Sequence, residues 1–388
     1  MSSHPAKPVG IKFWSSGAVT LFVLMWIGLA FTVARFTKGI GFISNLSDAW
    51  PWGWWVAVDV EARVALSAGG FTTAALGYVL GRRYYASVIR PALLIATLGY
   101  TSMVLGLVID VGRPWALYNP LIHPQPNSLL FEVAMCVMCY LTVLYTEFLP
   151  VLIERFSPRF VFLKILERFL QKVMWIFIVL GVVLSCMHQS SLGGLALPAP
   201  SKINPLWYTP LLPLLFLSSA IAVGFPMVIF ERVLMAKWLR LKPEMEVLSR
   251  LSRFIVFLLG IYMVLKIGDL IYRGAYTHLL DGTPQSICFL VEVIFGVIVP
   301  WCLFLLPQMR RTKWGIFIPS CLVILGVLMN RINVFIVGVT PPYGEKHYFP
   351  SIGEFATSLG LLAGIVFVYR IATIYLPVIS IHAQEKRP

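Results

Sequence analysis

The sequence has little charge for its length. Only 12% of its 388 residues are Asp, Glu, Lys or Arg, whereas 59% are hydrophobic and the mean hydropathy is +0.83. A soluble domain of this size needs a polar shell, so the composition excludes one. Apolar runs of about twenty residues recur along the chain, the length that a helix needs to cross a bilayer core. The composition predicts a polytopic α-helical membrane protein rather than a barrel of short alternating strands.

Cysteine and histidine are also scarce, with six of each. Cys136 and Cys139 have the spacing of a redox motif, but both fall in the middle of a predicted span, where small apolar side chains serve packing. Haem between helices is held by two buried histidines, and His188 alone falls at a predicted span. No cluster of Cys or His suits zinc or an iron–sulfur cluster. The sequence therefore predicts no metal site, no haem and no iron–sulfur cluster in this chain.

Ten membrane spans are predicted, and no soluble domain or linker separates them. We therefore treat 1–388 as a single transmembrane domain. Lys7 and Lys12 precede the first apolar run as in a signal peptide, but the length of that run and the lack of a cleavage site favour a retained helix. The predicted spans are 13–35, 52–79, 89–110, 128–150, 170–188, 209–231, 253–272, 285–306, 315–338 and 354–377.

The positive charges are distributed unevenly between the two sides of the membrane. With the N-terminus and alternate connections taken as one side, 21 of the 31 Lys and Arg residues fall there and 7 on the other side. Basic residues are enriched in cytoplasmic connections, so both termini are predicted to be cytoplasmic. This topology accounts for the net charge of +14, and no nucleic-acid partner is expected.

Two polar stretches of the sequence echo each other. Asp110 ends one apolar run and Glu132 begins the next, and Asp269 and Glu292 repeat the pattern 159 and 160 residues later. An offset of four spans preserves the orientation. The echo therefore predicts parallel internal repeats at approximately 50–190 and 205–340, that is, two four-helix bundles of spans 2–5 and 6–9 with spans 1 and 10 beside them. Parallel repeats occur in transporters as well as in redox subunits.

Ionisable side chains inside spans are energetically expensive and are therefore functional candidates. Lys266 and Asp269 are spaced to neutralise each other on one helix face, as are Asp59 and Arg63. Most of these side chains fall in the outer half of the membrane, whereas Tyr100 falls at mid-depth and two acids fall near the inner side. The outer set is Asp59, Glu61, Arg63, Asp110, Glu132, His188, Lys266, Asp269, Glu292 and Arg331, and the inner pair is Glu147 and Glu231.

Glu132 and Glu147 lie on one predicted helix, roughly 22 Å apart along its axis and about 60° apart around it. This spacing suits a proton path along the helix, and it also suits two unrelated acids at the helix ends. His188, followed by Gln189, lies at the outer edge of the fifth span. A His beside Gln and carboxylates suits a quinone head group, whose carbonyl oxygens accept hydrogen bonds and whose reduction takes up protons.

Six short motifs occur in order between Trp50 and about Arg331. Together they resemble the NrfD family of quinone-interacting membrane subunits, in the ten-helix branch that includes the hydrogenase-2 subunit HybB and the Dsr and Hmc membrane subunits. The motifs are Pro51-Trp-Gly, Ile109-Asp-Val-Gly-Arg-Pro114, Asn127-Ser-x-Leu-Phe-Glu132, Met187-His-Gln-Ser-Ser191, Pro205-Leu-Trp-x-Thr-Pro-Leu-Leu-Pro213 and Gly268-Asp-Leu-Ile-Tyr-Arg273.

The resemblance implies a subunit of a multi-subunit respiratory oxidoreductase in a bacterial or archaeal cytoplasmic (inner) membrane. Such a subunit exchanges electrons between menaquinone or ubiquinone and an extracytoplasmic, ferredoxin-like iron–sulfur subunit docked on its outer face. Catalytic or cytochrome subunits complete the complex, membrane lipid surrounds it, and proton translocation can accompany turnover.

The resemblance also implies roles for particular residues. The predicted quinone site consists of Asp59, Asp110, Arg113, Glu132, His188 and Gln189, and the predicted proton path of Arg63, Tyr100, Glu147 and Glu231. The second repeat contributes a predicted auxiliary site, formed by Lys266, Asp269, Glu292 and Arg331.

Two other functions remain open at this point. A secondary, proton-coupled transporter fits the parallel repeat and the intramembrane acids, although no broken helix pair is predicted at corresponding positions of the two halves. A passive membrane anchor for a periplasmic enzyme requires none of the polar residues.

Overall fold

The computed structural model describes residues 6–50, 52–157, 160–239, 241, 243–340 and 348–379. Pro51, the first residue of the first motif, lies outside these ranges. Nine helices in the described ranges are long and apolar enough to cross a membrane. With the interrupted second span they confirm the predicted all-α architecture of about ten helices, and two isolated bridges are the sole β-type pairings described.

The helices are numbered here in chain order. The second, α2, comprises the consecutive segments Trp55–Ala62, Arg63–Leu66, Gly69–Ala74 and Ala75–Val79. The others are α1 (Ser16–Lys38), α3 (Ala86–Asp110), α4 (Leu129–Phe156), α5 (Val161–Gly194), α6 (Leu212–Trp238), α7 (Met245–Tyr272), α8 (Pro284–Leu305), α9 (Lys313–Val337) and α10 (Ile352–Tyr375).

Short helical turns fill several connections between these helices. They are Ile40–Phe42, Arg83–Tyr85, Pro114–Ala116, Asn119–Ile122, Ala275–Leu280 and Pro307–Arg310. Several helices are also longer than their apolar runs predict, because polar ends continue beyond the hydrophobic stretch. The largest differences are in α4, α5, α6 and α7, whose predicted spans are 128–150, 170–188, 209–231 and 253–272.

The prediction of one uninterrupted second span is wrong. α2 breaks after Leu66, where the Ser67 hydroxyl donates to the Arg63 carbonyl at 2.7 Å and two glycines, Gly69 and Gly70, follow. Glycine and serine both weaken a helix interior. Trp55–Ala62 and Ala75–Val79 are wound as π-helix. Hydropathy alone does not register these local changes.

The helix contacts form two closed rings. In the first, α2 packs on α3, α3 on α4, α4 on α5, and α5 on α2; in the second, α6 packs on α7, α7 on α8, α8 on α9, and α9 on α6. Helices α2, α5, α6 and α9 join the rings, while α1 and α10 pack on each other outside them. The relation of the rings as sequence repeats stays a prediction.

Helices α1 and α10 approach each other closely through glycine. A Cβ atom built on Gly28 would lie 2.6 Å from the Cα of Gly360. α10 begins with a capping box formed by Ser351 and Glu354, and the buried Glu354 carboxylate also accepts from the Asn45 backbone at 3.1 Å. The loop after α1 is thereby attached to the N-terminal end of α10, which fixes the flank of the first ring.

Candidate functional site

The first polar group lies where α2, α3 and α10 meet. The Arg63 Nη2 atom lies 2.5 Å from Asp59 Oδ1, which confirms the predicted pairing of these residues four apart. The Ser358 hydroxyl donates to Asp59 Oδ2 at 2.5 Å, and Arg63 also donates to the Ser358 carbonyl and to the Ser102 hydroxyl. Asp59 is completely buried. The pair is therefore compensated by hydrogen bonds from three helices, as a charge pair away from water requires.

Asp110 belongs to the outer edge of the same group. It lies at the end of α3, within electrostatic range of Asp59, Glu354 and Arg35. Arg35, at the end of the predicted first span, is buried and donates to the carbonyls of Ile109 at 2.7 Å and Val111 at 2.5 Å. It thus caps the C-terminus of α3, whose last carbonyls lack helical partners.

A large groove opens beside this group. It has a volume of about 470 Å³ and lies between α1, α3 and α10. α1 and α3 both pack on α10 but hardly contact each other, so α10 forms the floor. The half-exposed side chains Trp26, Leu29 and Leu105 stand along the rim. Nearly all of the lining is apolar, and the hydroxyls of Thr32, Thr101, Ser102 and Thr357 are the polar exceptions.

The second polar group lies on the opposite face of α3, inside the first ring. Tyr100 points away from the Ser102 face by roughly half a helical turn. Its hydroxyl lies 3.4 Å from His188 Nδ1, and its ring meets the Tyr140 ring edge-on at 4.6 Å between centroids. His188 is 1% exposed, and its Nε2 atom has no hydrogen-bond partner among the described residues. Gln189 donates to the Val64 carbonyl at 2.8 Å and so ties α5 to α2.

Glu132 joins this second group rather than the first. Its carboxylate accepts a hydrogen bond from Ser191, which follows His188 by one turn of α5. Arg113, by contrast, is exposed in the loop after α3. The predicted quinone-site residues are thus divided by α3, with Asp59 and Asp110 on the groove side and Glu132, His188 and Gln189 in the ring.

The predicted proton-path residues also fall at separate places. Glu147 faces Gly181 of α5, on the same helix as Tyr140 and roughly 10 Å further inward. Glu231 lies between α6 and α10, where it accepts a hydrogen bond from Tyr369. No hydrogen bond among the described residues joins Glu147 to Glu231. Tyr140 fills the space between Glu132 and Glu147, and sequence reasoning missed it because an uncharged aromatic residue in an apolar run is not distinctive.

The second ring contains an ion pair that the sequence analysis assigned wrongly. Lys266 pairs with Glu292 of α8 rather than with Asp269 on its own helix. Asp269 instead accepts from Arg273 at 2.8 Å and from the Thr209 hydroxyl at 2.7 Å. Asp269 thus pairs with the residue four positions along α7, whereas Lys266 finds its partner across the bundle rather than at the spacing of three.

The Glu292 carboxylate is fully coordinated by donors. Besides Lys266, it accepts from Trp207 at 2.9 Å, Asn330 at 2.9 Å and Asn333 at 2.7 Å. Asn330 in turn accepts from the neighbouring Arg331 at 2.6 Å. Three of the four predicted auxiliary-site residues are thus in one network, and Asp269 lies further outward. The neutral members were not predicted, because Trp and Asn carry no charge signal in a span.

Comparison with known proteins agrees with this architecture. The sequence model of the family described as polysulphide reductase, NrfD, matches residues 43–342. A protein of Nitratidesulfovibrio vulgaris (strain Hildenborough) is 37% identical over 95% of this chain and 96% of its own length. The probable Ni/Fe-hydrogenase 2 b-type cytochrome subunit of Escherichia coli K12 is 34% identical over 97% and 96% of the two chains. The menaquinone reductase integral membrane subunit of N. vulgaris is 26% identical over 95% and 92%.

The family match covers more than half of the chain, and two of these relatives exceed 30% identity over nearly their whole length. The chain is therefore a multi-pass integral membrane protein that belongs to the NrfD family.

Proposed function

We propose that this chain is the quinone-interacting membrane subunit of a multi-subunit respiratory oxidoreductase in a bacterial or archaeal inner membrane. It would exchange electrons between an isoprenoid quinone, menaquinone or ubiquinone, and an extracytoplasmic iron–sulfur partner. The names of two relatives, a hydrogenase subunit and a menaquinone reductase subunit, support the redox class.

The single observation that supports the proposal most strongly is the groove between α1, α3 and α10. Its volume of about 470 Å³ falls within the range of ligand sites, roughly 300–1,000 Å³. The groove faces the lipid, and Ser102 in its wall is hydrogen-bonded to Arg63 of the buried pair. An apolar groove that ends on hydroxyls suits a neutral ring with a long apolar tail.

The arrangement favours a quinone over a phospholipid in this groove. The described lining of the groove contains no Lys or Arg side chain that could bind a phosphate. The hydroxyls of Thr32, Thr101 and Thr357 already donate to backbone carbonyls. The Ser102 hydroxyl accepts from Arg63, so its own hydrogen can bind a quinone carbonyl. A charged headgroup inside the membrane would lose its hydration, whereas an uncharged ring needs only such a donor.

Reduction of a quinone takes up two electrons and two protons, and oxidation releases them. In the proposal, Ser102, Asp59 and Arg63 orient the ring from the groove side. Asp110 lies at the outer edge of that group. Glu132 and His188, behind Tyr100, exchange protons with the quinone, while Gln189 holds α5 against α2 through the Val64 carbonyl. Tyr140 and Glu147 continue the proton route along α4. The proposal further includes that these protons cross the membrane, which makes turnover electrogenic.

The outer face offers a surface for the partner. The loop between α3 and α4 exposes Trp115, Tyr118, Leu121 and Ile122, each more than half exposed. Clustered exposed apolar side chains are typical of protein-interaction sites. We propose that this loop contacts the iron–sulfur subunit.

A haem does not fit the described histidines. Haem between helices is held by two buried histidines. His188 is buried, but His123 and His278 are exposed in outer connections. The proposal therefore assigns no electron transfer through a haem of this chain.

Photoaffinity labelling tests the function and the site together. We would label the purified protein in lipid nanodiscs with an azido-quinone that carries an isoprenoid tail, and map the labelled peptides. Labelling is expected on α1, α3 and α10, and competition by unmodified quinone but not by phospholipid. Leu105→Trp fills the groove and should reduce labelling at least about tenfold. Val264→Trp, at an equally lipid-facing position of α7, is the matched control and should leave labelling unchanged.

The outcomes separate the alternatives. Absence of any competed labelling would contradict the quinone function and favour a passive anchor or a transporter. Competed labelling confined to α4 and α5 would retain the function but exclude the groove. A transporter also lacks structural support, since the interruption of α2 has no counterpart in α6, its partner in the predicted repeat.

A further inference from the structure

Glu61 is the most isolated acid in the described part of the membrane domain. It lies in the π-helical segment of α2 and is 1% exposed. Neither of its carboxylate oxygens has a hydrogen-bond partner among the described residues. Asp59 and Arg63, two residues away on either side, face α3 and α10, so Glu61 faces roughly the opposite way. That direction leads to α9, which packs on the Trp55–Ala62 segment.

Arg331 of α9 is the charged group that faces Glu61. It is completely buried, and its guanidinium carbon lies 3.6 Å from the centroid of the Phe216 ring. Its Nη atoms donate to Asn330 and Ser219, but its Nε atom has no partner among the described residues. An arginine is always protonated, so a fully buried one requires a compensating negative charge.

The other acid near Arg331 is already compensated. Glu292 lies within electrostatic range, but Lys266 and three neutral donors occupy its carboxylate. Tyr262, the remaining titratable neighbour of Arg331, accepts from Lys266 at 3.3 Å. Of the two described acids near Arg331, Glu292 is paired with Lys266, and Glu61 is the one with no cation other than Arg331 facing it.

The backbone around both residues departs from α-helical winding. Glu61 lies within a π-helical segment, and Arg331 directly precedes another at Asn333–Val337. The two segments contact each other. Single π-helical turns are frequent at functional sites, because they rotate side chains out of the regular register.

Two small cavities lie beside the partners of Arg331. One, of about 10 Å³, is lined by Ser219, Tyr262 and Glu292 and continues between α8 and α9. The other, of about 20 Å³, extends from Asn330 and Tyr262 to Asp269 and Arg273. A cavity of roughly 10–15 Å³ with polar walls is large enough for one water molecule. Each cavity could therefore hold a water molecule beside a hydrogen-bond partner of Arg331.

We propose that Glu61 is a proton-binding site at the boundary between the two rings, and that Arg331 is the fixed positive charge that stabilises its ionised form. Loss of the proton from the Glu61 carboxylic acid leaves a carboxylate that neutralises Arg331, and the proton passes to water in the cavities beside the partners of Arg331. Uptake reverses the step. Arg63 of α2 donates to Ser102 in the groove wall. The site therefore lies on the same helix as a part of the proposed quinone site, and only the source of its protons rests on the proposed function.

Infrared difference spectroscopy tests proton binding without requiring turnover. The full chain in nanodiscs would be titrated over about pH 4 to 9, in H₂O and in D₂O, while the carbonyl stretch of protonated carboxylic acids is recorded. We expect a band that shifts in D₂O, that disappears at high pH, and that is absent from Glu61→Gln. Glu292→Gln is the matched control and should retain the band, since Glu292 is held ionised by Lys266. A Glu61→Gln spectrum identical to that of the unchanged protein would overturn the proposal.

A second set of variants tests the role of Arg331. Arg331→Gln should make the Glu61 band persist to higher pH, and Arg331→Lys should restore the original titration in part. If neither Arg331 variant folds, the thermal unfolding of Glu61→Gln tests the proposal instead. A protonated Glu61 resembles Gln, and an acid that binds its proton more tightly in the folded than in the unfolded chain lowers folding stability as the pH rises. An unchanged Tm at acidic pH, together with a Tm at alkaline pH that is higher in Glu61→Gln than in the unchanged protein, therefore supports the site. A Tm lowered equally at both pH values indicates a permanent ion pair and overturns it.

A third measurement separates this proposal from the proposed function. In the assembled complex, Glu61→Gln should lower the rate of proton uptake at least about tenfold while azido-quinone labelling is unchanged. If the protein without substitutions shows no competed labelling, the proposed quinone function is contradicted but the proton-binding role of Glu61 is not. Retained labelling with normal proton uptake in Glu61→Gln would contradict the role of Glu61 alone.

Discussion

Buried charges in this protein are compensated both along one helix and between helices. Asp59 pairs with Arg63, and Asp269 with Arg273, four residues apart on one helix. Lys266 departs from this pattern, since its nearest acid in sequence is Asp269, yet it pairs with Glu292 across α7 and α8. Glu292 also accepts from three neutral donors. In a medium without water each charge takes the partner that completes its hydrogen bonds, so the spacing along one helix does not decide the choice alone.

A pair of double-mutant cycles tests the corrected pairing. The Lys266→Met and Glu292→Gln cycle should give a coupling free energy of about 0.5–3 kcal/mol, because both residues belong to one ion pair. The Lys266→Met and Asp269→Asn cycle is the control and should give less than about 0.5 kcal/mol. Unfolding in detergent provides the free energies. A larger coupling in the second cycle would show that the sequence spacing, and not the tertiary contact, sets the pairing.

At the scale of single elements, glycine decides how closely helices approach. Gly28 and Gly360 meet where α1 packs on α10, and Gly296 and Gly326 meet where α8 packs on α9. Small residues are favoured where helices meet in a membrane. No hydrophobic force drives helices together in lipid, so close van der Waals packing must hold them. The groove depends on the first of these contacts, because α1 packs along α10 and meets α3 at the end of that helix through Arg35.

The same substitution at two positions of α10 tests the close contact. Gly360→Ala places a Cβ atom 2.6 Å from the Cα of Gly28, so backbone must move and we expect a loss of about 1–3 kcal/mol. Gly364→Ala, one turn further along, meets its nearest neighbour, the Met25 sulfur, at 4.0 Å and should be tolerated within about 0.5 kcal/mol. Thermal unfolding in detergent measures both. Equal stabilities would mean that α1 and α10 are further apart than described.

At the scale of the whole molecule, the topology with both termini in the cytoplasm is still a prediction from charge. Reporter fusions test it. Green fluorescent protein fused after Pro388 should fluoresce, and alkaline phosphatase fused after Gln125 should be active, because 21 basic residues flank the predicted inner side and 7 the outer. Phosphatase activity at the C-terminus would reverse the orientation and place the groove hydroxyls, Asp110 and Glu132 in the inner half of the membrane.

Much of the fold could be predicted from the sequence because the bilayer constrains it strongly. A membrane span must satisfy its backbone internally, so a long apolar run determines a helix and its approximate limits. The interruption of α2 was missed, because Ser67 and the following glycines lie within an otherwise apolar run. The polar residues could be identified as candidates because an ionisable side chain in lipid is energetically expensive. The pairing of Asp59 with Arg63 was predicted correctly because both residues lie on one helix.

The amino-acid sequence by itself determined the class of this protein, the number of its spans and the identity of its intramembrane charges, since each of these follows from local composition. Only the tertiary structure decided which charges meet. In it, Asp59 and Asp110 lie on one side of α3 and Glu132 and His188 on the other. Lys266 pairs with Glu292, and Glu61 faces Arg331 without a direct hydrogen-bond partner among the described residues. Partner choice depends on helix rotation and close approach between distant segments, and hydropathy encodes neither.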